Sequence, residues 1–236
     1  MLGQTAPRFQ LDELFTRRKI VLLRLNKGVL GAETARLLGS LLMGQLWPQI
    51  LAQATEPATR RALTAVYIDE VHDFISGIPG DLADALAQSR SLGVAFTMAH
   101  QYRSQLSRSM RHAIDANARN KICFELSGLD ASDLAKLAPG LSPADFMQLP
   151  RFGMYATTWC GGVKTGWLSG TTLRPPPVCS DPLVLEDTSS TRYGLLAEQV
   201  EAALRSNLGW GHPAAQPTSP PVTQPKFGRI AKPPDY

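Results

Sequence analysis

The 236-residue sequence contains no Gly-Lys dipeptide. The G-x-x-x-x-G-K-[ST] loop, whose backbone amides and lysine cradle nucleotide phosphates, is therefore missing from it. Cysteine is scarce: Cys123, Cys160 and Cys179 are the only three, and no two stand in C-x-x-C spacing. That spacing signals neither a zinc site nor a disulfide framework, and it fits a reducing, cytoplasmic compartment. A strong charge of one sign is lacking too. Lys and Arg number 24 against 20 Asp and Glu, a net +4, which permits an anionic partner without demanding one. The opening MLGQTAPRFQLDELFTRRK has no apolar core of the secretory-signal kind. Residues 37–55, LLGSLLMGQLWPQILAQAT, carry no charge at all. Gln45, Gln49 and Gln53 nevertheless recur four apart, opposite Leu38, Leu42, Leu46 and Ile50. That pattern predicts an amphipathic helix rather than a membrane span, with a kink or split at Pro48.

What is present is an alternation. Apolar runs at 19–25 (KIVLLRL), 63–68 (LTAVYI), 94–99 (VAFTMA) and 121–126 (KICFEL) predict strands. Between and after them, 31–54, 80–93, 102–114 and 130–138 carry helical patterns, the last with Asp130 as its cap. The runs lack period-two alternation, as expected of strands covered on both faces, so the reading is a parallel α/β sheet. Beyond residue 140, SPADFMQL predicts a short helix with Ser142 as N-cap and Pro143 at its first position. RFGMYATTW and VKTGWLSG flank Gly161-Gly162 and predict a hairpin. Eleven of the 18 prolines lie from 175 onward. One amphipathic helix is expected at about 191–208, and a disordered tail over 213–236.

The chemistry concentrates at two strand ends. Asp69 and Glu70 follow AVYI directly, and His100-Gln101 follow VAFTMA. Two adjacent carboxylates at the end of an apolar strand demand a reason, because burying them unpaired costs several kcal/mol, roughly, or their charge. In a parallel α/β sheet ligands bind beyond the carboxyl ends of the strands. A carboxylate pair and an amide converging there suit nucleotide hydrolysis. Asp69 would hold Mg2+, Glu70 would polarise the attacking water, and Gln101 would orient it and sense the terminal phosphate. A solvated or arginine-paired acidic turn is the ordinary alternative.

The ordered set of segments resembles the carboxyl-terminal part of HerA/FtsK-type P-loop ATPases, most closely the conjugative-transfer branch of TraG/TraD-like coupling proteins. KIVLLRLNKGVLGAETARLLGSLL is similar to that family's strand, glycine turn and long helix, and AVYIDEVHDF to its Walker B strand. ALAQSRSLGVAFTMAHQYRSQL resembles the helix and sensor strand, and NARNKICFELSGLDASDLAKL the strand and helix after it. STRYGLLAEQVEAAL resembles a tail helix, so the likeness covers about residues 8–207. It implies a partial P-loop NTPase sheet lacking the Walker A strand: residues 1–174 as ATPase domain, 175–212 as a linker with one helix, and 213–236 as tail. It implies ATP and Mg2+ as cofactors, DNA as the translocated partner, and a homo-hexamer or an assembly with a Walker A-bearing chain. A membrane transfer complex is a further implied partner, with no membrane span in this chain. Asp69, Glu70 and Gln101 take the roles given above, and Arg90, then Arg119, are the candidates for a finger reaching a neighbour's phosphate. The likeness also places the absent phosphate-loop strand between 94–99 and 121–126.

LNKGVLG has glycines and Lys27 in the wrong order for a phosphate loop and reads as a turn. The chain is thus expected to be truncated at its amino end, completed by another chain, or a decayed relative serving as a non-catalytic interaction module. DEVH at 69–72 is also literally a DExH box, so a helicase fragment of that class is a rival, though its later motifs are missing. Asp69, His72 and Asp73 imitate a metal cluster only weakly. Arg103, Arg108 and Arg111 are either DNA-facing or simply a solvated basic face.

Overall fold

A computed structural model describes residues 7–61, 63–75 and 82–209. They divide into two units, residues 10–178 and residues 7–9 with 179–209. The expected disordered tail lies outside the described residues.

The larger unit begins with α1 (Glu13–Thr16), where Glu13 pairs with Arg17 and Lys19. The run 19–25 is not the expected strand. It joins none of the sheets, and Ile20 and Leu22 are 91% and 85% exposed. Apolar character alone does not make a strand; a ladder with a neighbour is needed. After α2 (Lys27–Leu30), Gly31 at φ 81° turns the chain into α3 (Ala32–Ala52). Ala35, Gly39, Met43, Trp47 and Ile50 form its buried stripe, about one residue offset from the expected leucine row. The helix passes Pro48 without a split. Pro48 forfeits a single amide donor, and the flanking buried Trp47 and Ile50 hold that turn to the core. Gly39 is required by packing, since a Cβ there would lie 2.1 Å from the Phe74 ring.

β1 (Thr64–Ile68) and β2 (Val94–Met98) pair in parallel, Thr64 opposite Val94 through Ile68 opposite Met98. They are joined through α4 (Leu82–Ser91), which stops at Gly93, φ 78°. Both faces are not covered, because Tyr67 on β1 is 77% exposed. The expected helix 102–114 is a 3-10 turn at Arg103–Gln105 followed by α5 (Arg108–Asn117), capped by Ser107, whose hydroxyl accepts from the Met110 amide.

The expected fourth parallel strand is a correction. β3 (Lys121–Cys123) ends early and pairs antiparallel with β4 (Gly153–Thr157), which pairs antiparallel with β7 (Leu168–Thr171). Ile122 and Phe124 are exposed, so KICFEL covers only one face. Two helices lie between the strands: α6 (Gly128–Ala135) and α7 (Pro143–Met147). The N-cap of α6 is Ser127, not Asp130; Asp130 lies buried in the first turn and accepts the Arg103 amide at 3.0 Å. α7 has its expected cap, a reciprocal box between Ser142 and Asp145. Phe146 is fully buried beneath them, edge-on to Tyr155 and Trp167. The expected hairpin forms: β5 (Trp159–Cys160) and β6 (Val163–Lys164) enclose Gly161 and Gly162, whose φ of 58° and 82° suit a two-residue primed turn.

In the smaller unit the single expected helix is two: α8 (Pro182–Tyr193) and α9 (Ala197–Asn207). Asp181 caps α8 by accepting the Leu183 amide at 2.9 Å, with Pro182 at N1. Gly194 adopts an extended conformation and ends it. Arg8 donates to the Gly194 carbonyl at 3.0 Å, and Phe9 meets Tyr193 edge-on. Among the described residues no helix is long and apolar enough to cross a membrane.

Candidate functional site at the strand ends

Parallel pairing of β1 and β2 puts their carboxyl ends side by side. Two further backbone bonds lock them there: Ala99 donates to the Ile68 carbonyl at 2.9 Å, and Val71 donates to the Ala99 carbonyl at 3.0 Å. The residues just beyond are Asp69, Glu70 and Gln101. The Gln101 amide donates to Glu70 Oε1 at 2.5 Å. Gln101 is itself steadied by Gln105, whose side chain accepts the Gln101 and Tyr102 backbone amides. Glu70 has left-handed backbone angles, φ 49° and ψ 48°. For a non-glycine residue that costs on the order of 1–3 kcal/mol. Asp69 is exposed and turns one oxygen back to accept the Glu70 amide at 3.0 Å.

Asp73, which the sequence suggested only as part of a weak metal-like cluster, anchors this turn. Asp73 is 2% exposed and faces three cations or potential cations. Lys27 Nζ is 2.5 Å from its Oδ2, Arg36 Nη2 is 3.3 Å from its Oδ1, and His72 Nε2 is 3.7 Å from the same oxygen. Burial pushes the Asp73 carboxyl up, but Lys27, His72 and Arg36 outweigh it and hold it below the usual range. Lys27, read from sequence as a mere turn residue, thus ties α2 to the acidic turn. No local signal marks this pairing, since Arg36 and Asp73 are 37 positions apart.

Glu70 Oε2 and His72 Nδ1 face each other at 3.5 Å, and His100 Nδ1 is buried without a hydrogen-bond partner. Burial, with Arg103 second, pushes the His100 imidazole down, so it is neutral at pH 7 and able to accept. Buried polar atoms are rarely left unpaired outside functional sites. Asp69, His72 and Asp73 do not form a metal cluster; among the described residues no group of three or more His, Cys, Asp or Glu is placed to hold an ion.

Arg90 and Arg119 are not brought to this place. They line a cleft of about 310 Å³ that runs along β2, beside Leu63, Gly93 and Trp159 near the amino-terminal end of the strands. Arg90 donates to the Asn117 carbonyl at 3.4 Å, and the Arg119 guanidinium lies 4.6 Å from the Trp159 ring centre. A five-residue strand, roughly 17 Å long, separates them from Glu70 and Gln101. Cys123 has no part in the site: burial pushes its thiol up to about 11, which leaves it unreactive at neutral pH.

Replacing the lysine and arginine partners of Asp73 tests the anchor. Lys27→Met with Arg36→Met leaves a buried carboxylate with only His72 beside it, so unfolding stability at pH 7 should fall by about 3 kcal/mol. The sign with pH follows from the lowered Asp73 pKa. Its contribution is complete above the unfolded value, about 3.9, and disappears as pH falls through the lower folded value. The two proteins should therefore converge in urea titrations as pH drops below about 4. A loss independent of pH would assign the cost to packing of the removed stems.

No family model matches the chain, and no curated protein matches it. Solved structures do. The plasmid coupling protein TrwB in complex with ADP and Mg2+ aligns with a TM-score of 0.54 at 17% identity, over 64% of this chain and 39% of that one. Over that span the chain shares the fold of a conjugative coupling protein. TrwB in complex with the non-hydrolysable GTP analogue GDPNP aligns at 0.48 with 18% identity, over 59% of this chain and 37% of that one. This chain thus spans under two-fifths of the length of the TrwB structures it matches. TrwB is the kind of protein that the ordered sequence segments resemble, so the resemblance holds at the level of fold.

Proposed function

We propose that this chain carries the hydrolytic half of a nucleotide-driven DNA-transfer motor of the conjugative coupling type. The observation that carries the reading is the Gln101–Glu70 hydrogen bond at the carboxyl ends of two paired parallel strands. Around it lie buried polar atoms without a hydrogen bond. In this reading Glu70 is the general base and Gln101 orients the attacking water. Glu70 Oε1 faces the Gln101 amide, while Oε2, with His72 Nδ1 at 3.5 Å, is the oxygen that would accept a proton. Asp73, fixed by Lys27 and Arg36, holds the turn that aims Glu70.

Mg2+ fits the donor set in a limited way. It is commonly bound through one or two carboxylates together with substrate phosphates and water. Asp69 is exposed and supplies one such carboxylate, and the ion would neutralise charge developing on the phosphates. The G-x-x-x-x-G-K-[ST] phosphate loop does not occur in this sequence. A Walker A-bearing segment, supplied by another chain or by sequence upstream, completes the site. Arg90 or Arg119 would then act on a neighbouring subunit's nucleotide in a hexamer, which suits their distance from Glu70. DNA is the transported partner, in keeping with the plasmid-coupling role of TrwB.

The test is complementation. The chain alone should show neither tight ATP binding nor hydrolysis, and joining it to a Walker A-bearing amino-terminal half should restore both. A completed protein that binds ATP and does not hydrolyse it would favour the interaction-module reading instead.

A further inference from the structure

The acidic turn holds a side chain that the hydrolytic reading leaves idle. His72 is the middle residue of the 3-10 turn Val71–Asp73, and its neighbours on both sides are pinned. Val71 is fully buried and donates its amide to the Ala99 carbonyl. Asp73 is tied to Lys27 on α2 and Arg36 on α3. The His72 ring is thereby placed between two carboxylates. Its Nδ1 lies 3.5 Å from Glu70 Oε2, and its Nε2 lies 3.7 Å from Asp73 Oδ1. Nδ1 and Oε2 are both shielded from solvent, and among the described residues neither has a hydrogen bond.

Gln101 meets Glu70 at Oε1 alone. The last torsion of a glutamate is broad and roughly two-fold, so a carboxylate held at one oxygen still turns about that contact. A second contact, at Oε2, fixes the plane of the group. It also leaves Oε2 one lone pair for the attacking water, because a carboxylate oxygen accepts twice. A separation of 3.5 Å is long for a hydrogen bond, yet catalytic hydrogen bonds are often long in unliganded sites and tighten when substrate is bound. Nε2 is farther still from Asp73, so the tie that matters is the one at Nδ1.

We propose that His72 positions Glu70 for catalysis, its Nδ1–H donating to Oε2 while Gln101 holds Oε1. His72 touches neither the water nor the nucleotide, so it acts through Glu70 and is a positioning residue. Its effect on hydrolysis rests on the reading of Glu70 as general base; the contact itself does not.

The test uses the completed protein, this chain joined to a Walker A-bearing amino-terminal half, and three substitutions at one position. Asparagine places an amide N–H where Nδ1 stands, glutamine places one where Nε2 stands, and leucine removes both. His72→Leu and His72→Gln should lower kcat by about 10²-fold, the usual effect of a small misplacement of a catalytic group, and leave KM little changed. His72→Asn should recover most of that loss. His112→Leu, at an exposed position on α5, should change neither constant. A second readout needs no hydrolysis. In the nucleotide-free completed protein with isotope-labelled histidine rings, the His72 Nδ1 resonance is identified by its loss in His72→Asn. It should move on Glu70→Gln, and that of His112 should not. An unmoved His72 resonance would overturn the proposal, as would full turnover in His72→Leu or equal losses in the Asn and Leu variants. Rescue by glutamine in place of asparagine would overturn it too, and would assign the ring to Asp73. A completed parent that hydrolyses nothing counts against the motor reading instead, and the ring resonance then decides the contact by itself.

Discussion

In the completed enzyme, Glu70→Gln should lower the rate of ATP hydrolysis by about 10²- to 10⁴-fold, the usual contribution of a positioned general base. Nucleotide affinity should stay within a few-fold of the parent, because affinity comes from phosphate contacts that Glu70 does not make. The amide is nearly isosteric and can still meet Gln101, so the turn should keep its shape. That turn carries a left-handed residue, Glu70, between a buried Ile68 and a buried Asp73, and a bulkier or smaller replacement would mix a change in fold with a change in chemistry. Single-turnover hydrolysis and equilibrium binding of a labelled nucleotide, measured on the same preparation, separate the two effects. Unchanged turnover in the variant would remove Glu70 from the role of base. A parallel loss of binding and rate would instead make it a structural residue, and would return the acidic turn to the ordinary solvated reading.

The site was legible where its parts are local and its geometry follows from a general rule. Asp69 and Glu70 end one apolar run, Gln101 follows another, and parallel pairing of consecutive strands is enough to bring them together. The Gly161-Gly162 turn and the Ser142 cap were legible for the same reason, since each needs particular residues within four positions. Asp73 was not legible. Its meaning depends on Lys27 and Arg36, placed beside it only once α2 and α3 pack on the sheet. Nor was the antiparallel turn of KICFEL, because a short apolar run does not state the direction of its neighbour; α6 and α7 reverse the chain and decide it. The expected strand at 19–25 failed on a further ground. Its residues suit a strand, but a strand exists only as part of a ladder, and this run joins none of the three sheets.

That last failure leads to the behaviour expected of the isolated chain. Among the described residues β2 is hydrogen-bonded only to β1. Its other edge borders the 310 Å³ cleft, whose floor includes Val94, Ala95, Phe96 and Met98 and whose far wall, Asn117–Asn120, leads straight into β3. Among the described residues β3 is bonded only to β4. The cleft thus lies between the open edge of β2 and the segment that leads into β3. Alternate amides of β2 point into that groove, and an open edge of apolar strands invites pairing with another chain or aggregation. Exposed Leu63, Tyr67 and Ile122 near these strands add apolar surface that a larger domain would cover. The isolated chain is therefore expected to be poorly soluble or molten, with alternate amides in 94–98 exchanging with solvent far faster than those bonded to β1. A partner chain bearing the phosphate-loop strand should slow exchange across 94–98 and 121–123 together, because one inserted strand satisfies both edges. Amide hydrogen exchange read by mass spectrometry, with and without that partner, decides the matter. Uniform strong protection of both strands in a soluble monomer that unfolds cooperatively would mean that the groove is already closed, and that the chain folds as a complete domain needing no donated strand.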